Sequence, residues 1–138
     1  MILCDTSVLL CLVDPAQPKH NTYKRSLPRY RQPLITTWPC LTEAMYLALH
    51  RGGWTMQKSL GRLLLSDLLT TYTIEPDRIP RILELMERYR DRPMDFADAS
   101  LVLLAEQTGY RQILTLDSDF LFYRIDDRHS FEVLPETL

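Results

Sequence analysis

The sequence predicts an α/β fold, a three-layer sandwich with a central, mostly parallel sheet of about five strands. Short apolar and β-branched runs alternate along the chain with longer segments in which apolar residues recur at helical spacing. Strands that are separated by helices favour parallel pairing, with the helices on the faces of the sheet. The 138 residues contain neither a linker nor an internal repeat, so residues 1–138 are predicted to form a single domain.

The first half of the chain is predicted to contain three strands. Residues 1–4 form an apolar run that ends at Asp5, and residues 34–37 form an apolar and β-branched run, as buried strands do. Trp38-Pro39 ends the second strand, because a residue before proline avoids the helical region. Residues 71–74 are the third strand. Helices are predicted over residues 8–13, 41–50 and 56–69, with breaks at Asp14-Pro15 and Gly52-Gly53.

The second half of the chain continues the alternation of helices and strands. Residues 79–89 are amphipathic and residues 94–108 carry an apolar stripe that stops at Gly109, which predicts two helices. Residues 113–116 predict a fourth strand, and residues 131–134 predict a fifth.

Composition and charge narrow the class of protein. The net charge is −2, with a pI of about 5.9, so any attraction for nucleic acid has to be local. The 3 cysteines form no CxxC pair and the 3 histidines are scattered, which indicates reduced thiols and argues against a zinc site. The apolar N-terminus lacks a basic leader and is shorter than the roughly 20 residues of a membrane span. A cytoplasmic protein without a membrane partner is predicted.

Acidic residues occur where the predicted strands end. Asp5 directly follows the first strand and Asp117 directly follows the fourth. The carboxyl ends of parallel strands form the crevice in which α/β proteins bind ligands. Glu43 lies in the first turns of the helix that follows the second strand, and Asp95 and Asp98 open the helix that leads into the fourth, on roughly one face. Segments distant in sequence are therefore expected to bring carboxylates to one sheet edge.

Each acid alone has an ordinary structural explanation, as a turn residue after a strand or as a charge at a helix N-terminus. Convergence of four acids is different, because like charges at close range repel one another and require a cation between them. Hard oxygen ligands suit Mg²⁺ or Mn²⁺. Such an ion can activate a water molecule and stabilise the leaving oxygen in phosphodiester hydrolysis.

The motifs that contain these acids resemble those of PIN domains and, more narrowly, of the VapC-type ribonuclease toxins of toxin–antitoxin pairs. They are DTSVL at residues 5–9, TEA at 42–44, MDFADA at 94–99 and LTLDSDF at 114–120. Each motif alone is weakly specific, but the ordered set is fairly specific, and the similarity covers nearly the whole chain. The resemblance implies a PIN-like fold.

The resemblance also implies an Mg²⁺- or Mn²⁺-dependent endoribonuclease that cuts structured RNA such as tRNA. It further implies that the chain forms a homodimer and has a VapB-like antitoxin as its partner. The catalytic quartet it implies is Asp5, Glu43, Asp98 and Asp117, and the metal is expected at Asp5, Asp98 and Asp117. Thr6 and Thr115 match the family's hydroxyls beside the first and last acids. Asp119 is an alternative to Asp117 in the last motif. Asp95 is a metal ligand, an orienting residue or a helix N-terminal charge.

A basic segment follows the first acidic motif, because no acid lies between Asp14 and Glu43. Such a segment can guide RNA phosphates towards a metal site, and it can equally be a solvated surface. The RNA-binding candidates are Lys19, Lys24, Arg25, Arg29 and Arg31.

Other functions remain as alternatives. A different metal-dependent nuclease or a phosphatase would use the same acids, although phosphatases of the haloacid dehalogenase type need a second aspartate where this chain has Ser7. A PIN-like module that binds RNA or protein without hydrolysis is the alternative from another class. A complete acid quartet argues against that module, because an unused carboxylate cluster costs stability.

Overall fold

The main sheet of the protein, seen in a computed structural model that describes residues 1–134, consists of five parallel strands. These are β1 (Ile2–Cys4), β2 (Leu34–Thr37), β3 (Leu69–Tyr72), β4 (Gln112–Leu114) and β7 (Glu132–Val133), in the order β3-β2-β1-β4-β7. A small antiparallel hairpin pairs β5 (Arg124–Ile125) with β6 (His129–Ser130). The predicted α/β class and the parallel sheet of five strands are confirmed.

Five helices connect or flank these strands: α1 (Thr6–Val13), α2 (His20–Tyr30), α3 (Trp38–Leu65), α4 (Ile79–Arg88) and α5 (Phe96–Thr108). The break predicted at Gly52-Gly53 is present, since Gly53 interrupts α3 with φ 65° and ψ −157°. Gly109 ends α5 in the left-handed region, at φ 81°. None of the helices in residues 1–134 has both the length and the apolar character of a membrane span.

The sheet separates two hydrophobic clusters, because alternate side chains of a strand point to opposite faces. On one face Leu3, Ile35 and Ile113 pack with residues of α4 and α5. On the other face Ile2, Leu34 and Leu114 pack with residues of α1 and α3. Helices therefore cover both faces of the sheet, as a three-layer sandwich requires.

Several predicted boundaries were wrong. The strand expected at residues 71–74 lies at Leu69–Tyr72, where Leu69 pairs with Leu34, and the helix expected to reach residue 69 ends at Leu65. Trp38-Pro39 does end β2, but α3 begins there at once, because Pro39 sits in the first turn, where a helix needs no N–H donor. The fourth strand ends at Leu114, two residues before its predicted end.

The helix α2 and the β5–β6 hairpin were not predicted at all. α2 is mostly polar, contains Pro28 and buries only Tyr23 and Ser26, so its sequence carries almost no apolar stripe. The β5–β6 hairpin consists of two-residue strands, and its turn uses Asp126 and Asp127 at positive φ. Neither pattern is strong enough to identify an element without the surrounding fold.

Candidate active site

A cleft of about 220 Å³ opens at the carboxyl edge of the sheet. β2 and β3 lie on one side of β1, and β4 and β7 lie on the other, so the chain reverses direction across the sheet between β1 and β4. Ligands of α/β proteins bind at such a switch point. The predicted quartet lines this one cleft together: Asp5, Glu43, Asp98 and Asp117.

Asp5 is held on both of its carboxylate oxygens. It caps α1, with Oδ1 accepting the backbone N–H groups of Ser7 at 2.9 Å and Val8 at 3.3 Å, together with the Ser7 hydroxyl. The Thr115 hydroxyl donates to Oδ2. Burial raises the pKa of Asp5, and the hydrogen bonds from Ser7 and Thr115 partly oppose that rise. The side chain is therefore fixed while its charge is only partly compensated.

Hydroxyl groups connect Asp5 to its surroundings. Thr115 Oγ1 also accepts the backbone N–H of Asp117 at 2.9 Å, which couples the end of β4 to Asp5. Thr6 Oγ1 donates to the Cys40 carbonyl at 3.2 Å and so ties α1 to α3. Ser7 was not among the predicted site residues, yet its hydroxyl also accepts the Leu116 N–H at 3.1 Å. Its position two residues after a helix-capping aspartate is the signal that could have identified it.

Asp95 and Asp98 form a reciprocal cap at the start of α5. Asp95 Oδ1 accepts the Asp98 N–H at 2.7 Å, and Asp98 Oδ2 accepts the Asp95 N–H at 3.3 Å. Burial, followed by the charges of Asp95 and Asp117, raises the pKa of Asp98 to about 8. Asp95 lines the cleft as well, and its contacts are those of a helix cap that orients Asp98.

The two acids of the last motif have different surroundings. Asp117 lines the cleft, and its Oδ1 accepts the Asp119 N–H at 2.9 Å. Asp119 is not among the residues that line the cleft; its Oδ1 accepts Nη1 of Arg92 at 3.1 Å. The Arg92 guanidinium also lies 3.7 Å from the centroid of the Phe122 ring. Asp119 is therefore engaged in a surface ion pair outside the cleft.

Glu43 reaches the cleft from α3. Burial and the charges of Asp95 and Asp5 raise its pKa. Leu47 and Arg51 follow at intervals of four residues and line the same cleft, as expected for one row along a helix. Arg51 was not predicted as a site residue, because a single arginine in a helix carries no motif.

The residues of the cleft suit a divalent cation by their chemistry, since carboxylate oxygens are the ligands preferred by Mg²⁺ and Mn²⁺. Within residues 1–134, no group of three or more His, Cys, Asp or Glu side chains is already arranged as a metal site. Asp5 and Asp98 instead direct their oxygens to hydroxyl and backbone donors. Burial is the largest cause of the raised pKa of both carboxyls. The chemistry of the donor set therefore fits such an ion.

The predicted basic segment lies away from the cleft lining. Lys24, Arg25 and Arg29 belong to α2, and Lys19 and Arg31 flank it. α2 packs against α1, whereas the cleft is lined from α1, α3, α5 and the loop after β4. The structure thus places these side chains on a neighbouring surface and brings none of them together with the acids.

An open, mostly apolar groove adjoins the acidic cleft and was not predicted. It shares Glu43, Asp95 and Ala97 with the cleft. Its exposed aromatic residues are Trp38, Tyr46 and Phe96. Cleft and groove therefore form one continuous surface along α3 and the start of α5.

The chain is similar to known proteins in sequence and in fold. The family model of the PIN domain matches residues 2–128. The chain is 28% identical over 116 residues to ribonuclease VapC26 of Mycobacterium tuberculosis, which covers 84% of this chain and 86% of that protein. The crystal structure of M. tuberculosis VapC20, described as a sarcin-ricin loop cleaving toxin, matches with a TM-score of 0.82 at 21% identity, over 98% of this chain and 100% of that one. The second likeness concerns the fold alone. Because the PIN domain model matches nearly the whole length of this chain, the chain belongs to the PIN domain family.

Proposed function

We propose that this PIN domain protein is an Mg²⁺- or Mn²⁺-dependent endoribonuclease that acts through Asp5, Glu43, Asp98 and Asp117. One observation carries the proposal: these carboxylates come from separate parts of the chain and line a single cleft at the switch point of the sheet. The similarity to a protein named as a ribonuclease supports RNA as the substrate. A binding module without hydrolysis would gain nothing from carboxylates that repel one another.

The residues of the cleft have distinct roles in this proposal. Asp5, Asp98 and Asp117 would hold the ion, which when bound activates a water molecule and stabilises the leaving oxygen. Ser7 and Thr115 fix the Asp5 carboxylate through their hydroxyls. Glu43 has a raised pKa and would accept a proton from the attacking water at its carboxylate.

The nuclease assignment is tested with Asp5→Asn, which keeps a side chain able to cap α1 but removes the charge. We expect Mn²⁺-dependent cleavage of RNA to be lost while the melting temperature stays close to that of the wild type. The matched control is Asp119→Asn, because Asp119 lies in the neighbouring turn but pairs with Arg92 outside the cleft. Cleavage by Asp5→Asn at the wild-type rate would contradict the assignment, and so would equal loss in both variants.

A role as the toxin of a type II toxin–antitoxin pair is part of this proposal, and the resemblance of the chain's motifs to VapC-type toxins and its similarity to ribonuclease VapC26 support it. The cytoplasmic substrate would be a structured RNA such as tRNA. The chain would act as a homodimer and be inhibited by a VapB-like antitoxin. An arginine of that antitoxin can bridge carboxylates with its two-pronged guanidinium and thereby occupy the space of the cation.

Expression in a bacterial host tests the toxin role. Production of the wild-type chain alone should arrest growth, and co-production of the protein encoded by the neighbouring gene should restore it. Asp98→Asn should not arrest growth, because it removes a proposed ligand charge from the cleft. A wild-type chain that is harmless alone, with no neighbour that co-purifies, would refute the toxin role while the cleavage assay still decides the nuclease role.

A further inference from the structure

Arg51 is the one Lys or Arg among the described residues that line the acidic cleft. It lies eight residues after Glu43 on the same row of α3, with Leu47 between them. Eight helical residues correspond to about 12 Å along the helix axis. Glu43 and Arg51 therefore lie at different positions along the cleft, and the Arg51 side chain does not pair with the Glu43 carboxylate.

The guanidinium of Arg51 is available to a ligand. It is exposed and forms no hydrogen bond or ion pair with another residue in the part of the chain that the structure describes, whereas Arg81 and Arg92 each bind carboxylates. Arg51 lies in the last turn of the first segment of α3, two residues before the break at Gly53. An arginine that lines the same cleft as several carboxylates, yet pairs with none of them, is a candidate for recognition of an external anion.

We propose that Arg51 binds a phosphate group of the RNA, on a nucleotide next to the one that is cleaved. This inference rests on the proposed nuclease function. The carboxylates of the cleft repel the RNA polyanion. An RNA backbone that crosses the cleft therefore binds more tightly if the positive charge of Arg51, at the end of the α3 row, contacts one of its phosphates. The planar guanidinium fork matches two phosphate oxygens. Arg51 is thus a positioning residue that holds the RNA backbone while the acids act.

The substitutions Arg51→Ala and Arg51→Lys test the proposal, with Arg62→Ala as the matched control. Arg62 is also an exposed arginine of α3 but does not line the cleft. The readouts are KM, kcat and the salt dependence of binding for a short single-stranded RNA in Mn²⁺, together with Mn²⁺ affinity and melting temperature.

For Arg51→Ala we expect KM to rise about tenfold, which corresponds to about 1.4 kcal/mol of lost phosphate binding, while kcat changes little. The slope of log affinity against log salt should become shallower by about 0.7, the value of one phosphate contact on a single strand. Arg51→Lys should recover part of the affinity, because it keeps the charge but loses the fork. Mn²⁺ affinity and melting temperature should not fall.

Equal KM and salt slope for Arg51→Ala and Arg62→Ala would overturn the proposal. A loss of Mn²⁺ affinity or of melting temperature in Arg51→Ala would overturn it as well, because it would assign a structural role. Wild-type protein that neither binds nor cleaves RNA would refute the nuclease function itself, and the role of Arg51 with it. A wild type that cleaves RNA while both variants behave alike refutes only the role of Arg51.

Discussion

The pKa of Asp98 shows how burial and neighbouring carboxylates act on one residue of the cleft. Its side chain accepts one backbone N–H from Asp95, and that one donor does not offset burial and the charges of Asp95 and Asp117, which raise its pKa to about 8. Burial raises the pKa values of Asp5 and Glu43 in the same direction. Without a cation, the cleft therefore favours protonated carboxyls at a pH where the unfolded chain has lost those protons.

This shift predicts a pH dependence that a divalent ion should reverse. From about pH 4 to about pH 8 the folded Asp98 keeps a proton that the unfolded chain releases near 3.8, so the metal-free free energy of unfolding should fall as pH rises. In the proposed function a bound Mn²⁺ ion would compete with that proton, so we expect Mn²⁺ to raise the melting temperature and this rise to grow over the same range. Melting curves with and without Mn²⁺ measure both trends.

Asp98→Asn is the control for this experiment, because it removes the titrating group and leaves an amide that can still accept the Asp95 N–H. The variant should lose most of the decline in stability towards about pH 8 and most of the Mn²⁺ effect. A wild-type protein whose metal-free melting temperature rises steadily up to that pH would contradict the assignment of a raised pKa to this carboxyl.

At the scale of elements, α3 organises the site by presenting two rows of side chains. Glu43, Leu47 and Arg51 face the acidic cleft, while Trp38 and Tyr46 face the adjoining apolar groove. The Trp38 indole is oriented by its N–H, which donates to Thr73 Oγ1 at 3.2 Å. The first segment of α3 therefore carries both surfaces, and Gly53 determines where that segment ends.

The break in α3 predicts opposite effects for two glycine substitutions. Gly53 has φ 65° and ψ −157°, a region that is essentially restricted to glycine, so Gly53→Ala should lower the free energy of unfolding by about 1–3 kcal/mol. Gly61 lies inside the second segment, and an added Cβ meets nothing within 4 Å. Gly61→Ala should therefore raise stability by about 0.5–1 kcal/mol. Urea unfolding measures both, and equal effects would contradict this account of the break.

Much of this arrangement could be predicted from sequence, where local patterns and topology agree. Asp5 directly follows the apolar run that becomes β1, and Glu43 lies in the first turns of the helix that follows β2. Because the strands are parallel, both acids come to the same edge of the sheet. α2 could not be predicted, because tertiary contact with α1 holds a polar helix. Arg51 could not be predicted either, since a single arginine in a helix belongs to no motif and only the folded chain shows that it lines the cleft.

At the scale of the whole molecule, the distribution of charge matters more than its sum. The net charge is −2, and the cleft adds a local concentration of carboxylates. In the proposed function, binding of an RNA polyanion therefore requires cations to offset these carboxylates, both Arg51 in the cleft and others outside it. α2 offers the strongest such group in the sequence, because the segment between Asp14 and Glu43 contains no acid.

Removal of charge from α2 should weaken RNA binding without affecting the chemistry. Lys24→Ala combined with Arg25→Ala removes two exposed cations from that helix. The measurement is made in an Asp5→Asn background, which we expect to bind RNA without cutting it. There the slope of log affinity against log salt should become shallower by about 1.4 for a single strand. Arg111→Ala with Arg128→Ala is the control, because it removes the same charge from exposed positions outside the cleft. Arg111 directly precedes β4 at the opposite sheet edge.

If both double variants reduce the slope equally, RNA is attracted by charge in general and α2 does not guide it. If neither changes it, the RNA reaches the acids over another surface.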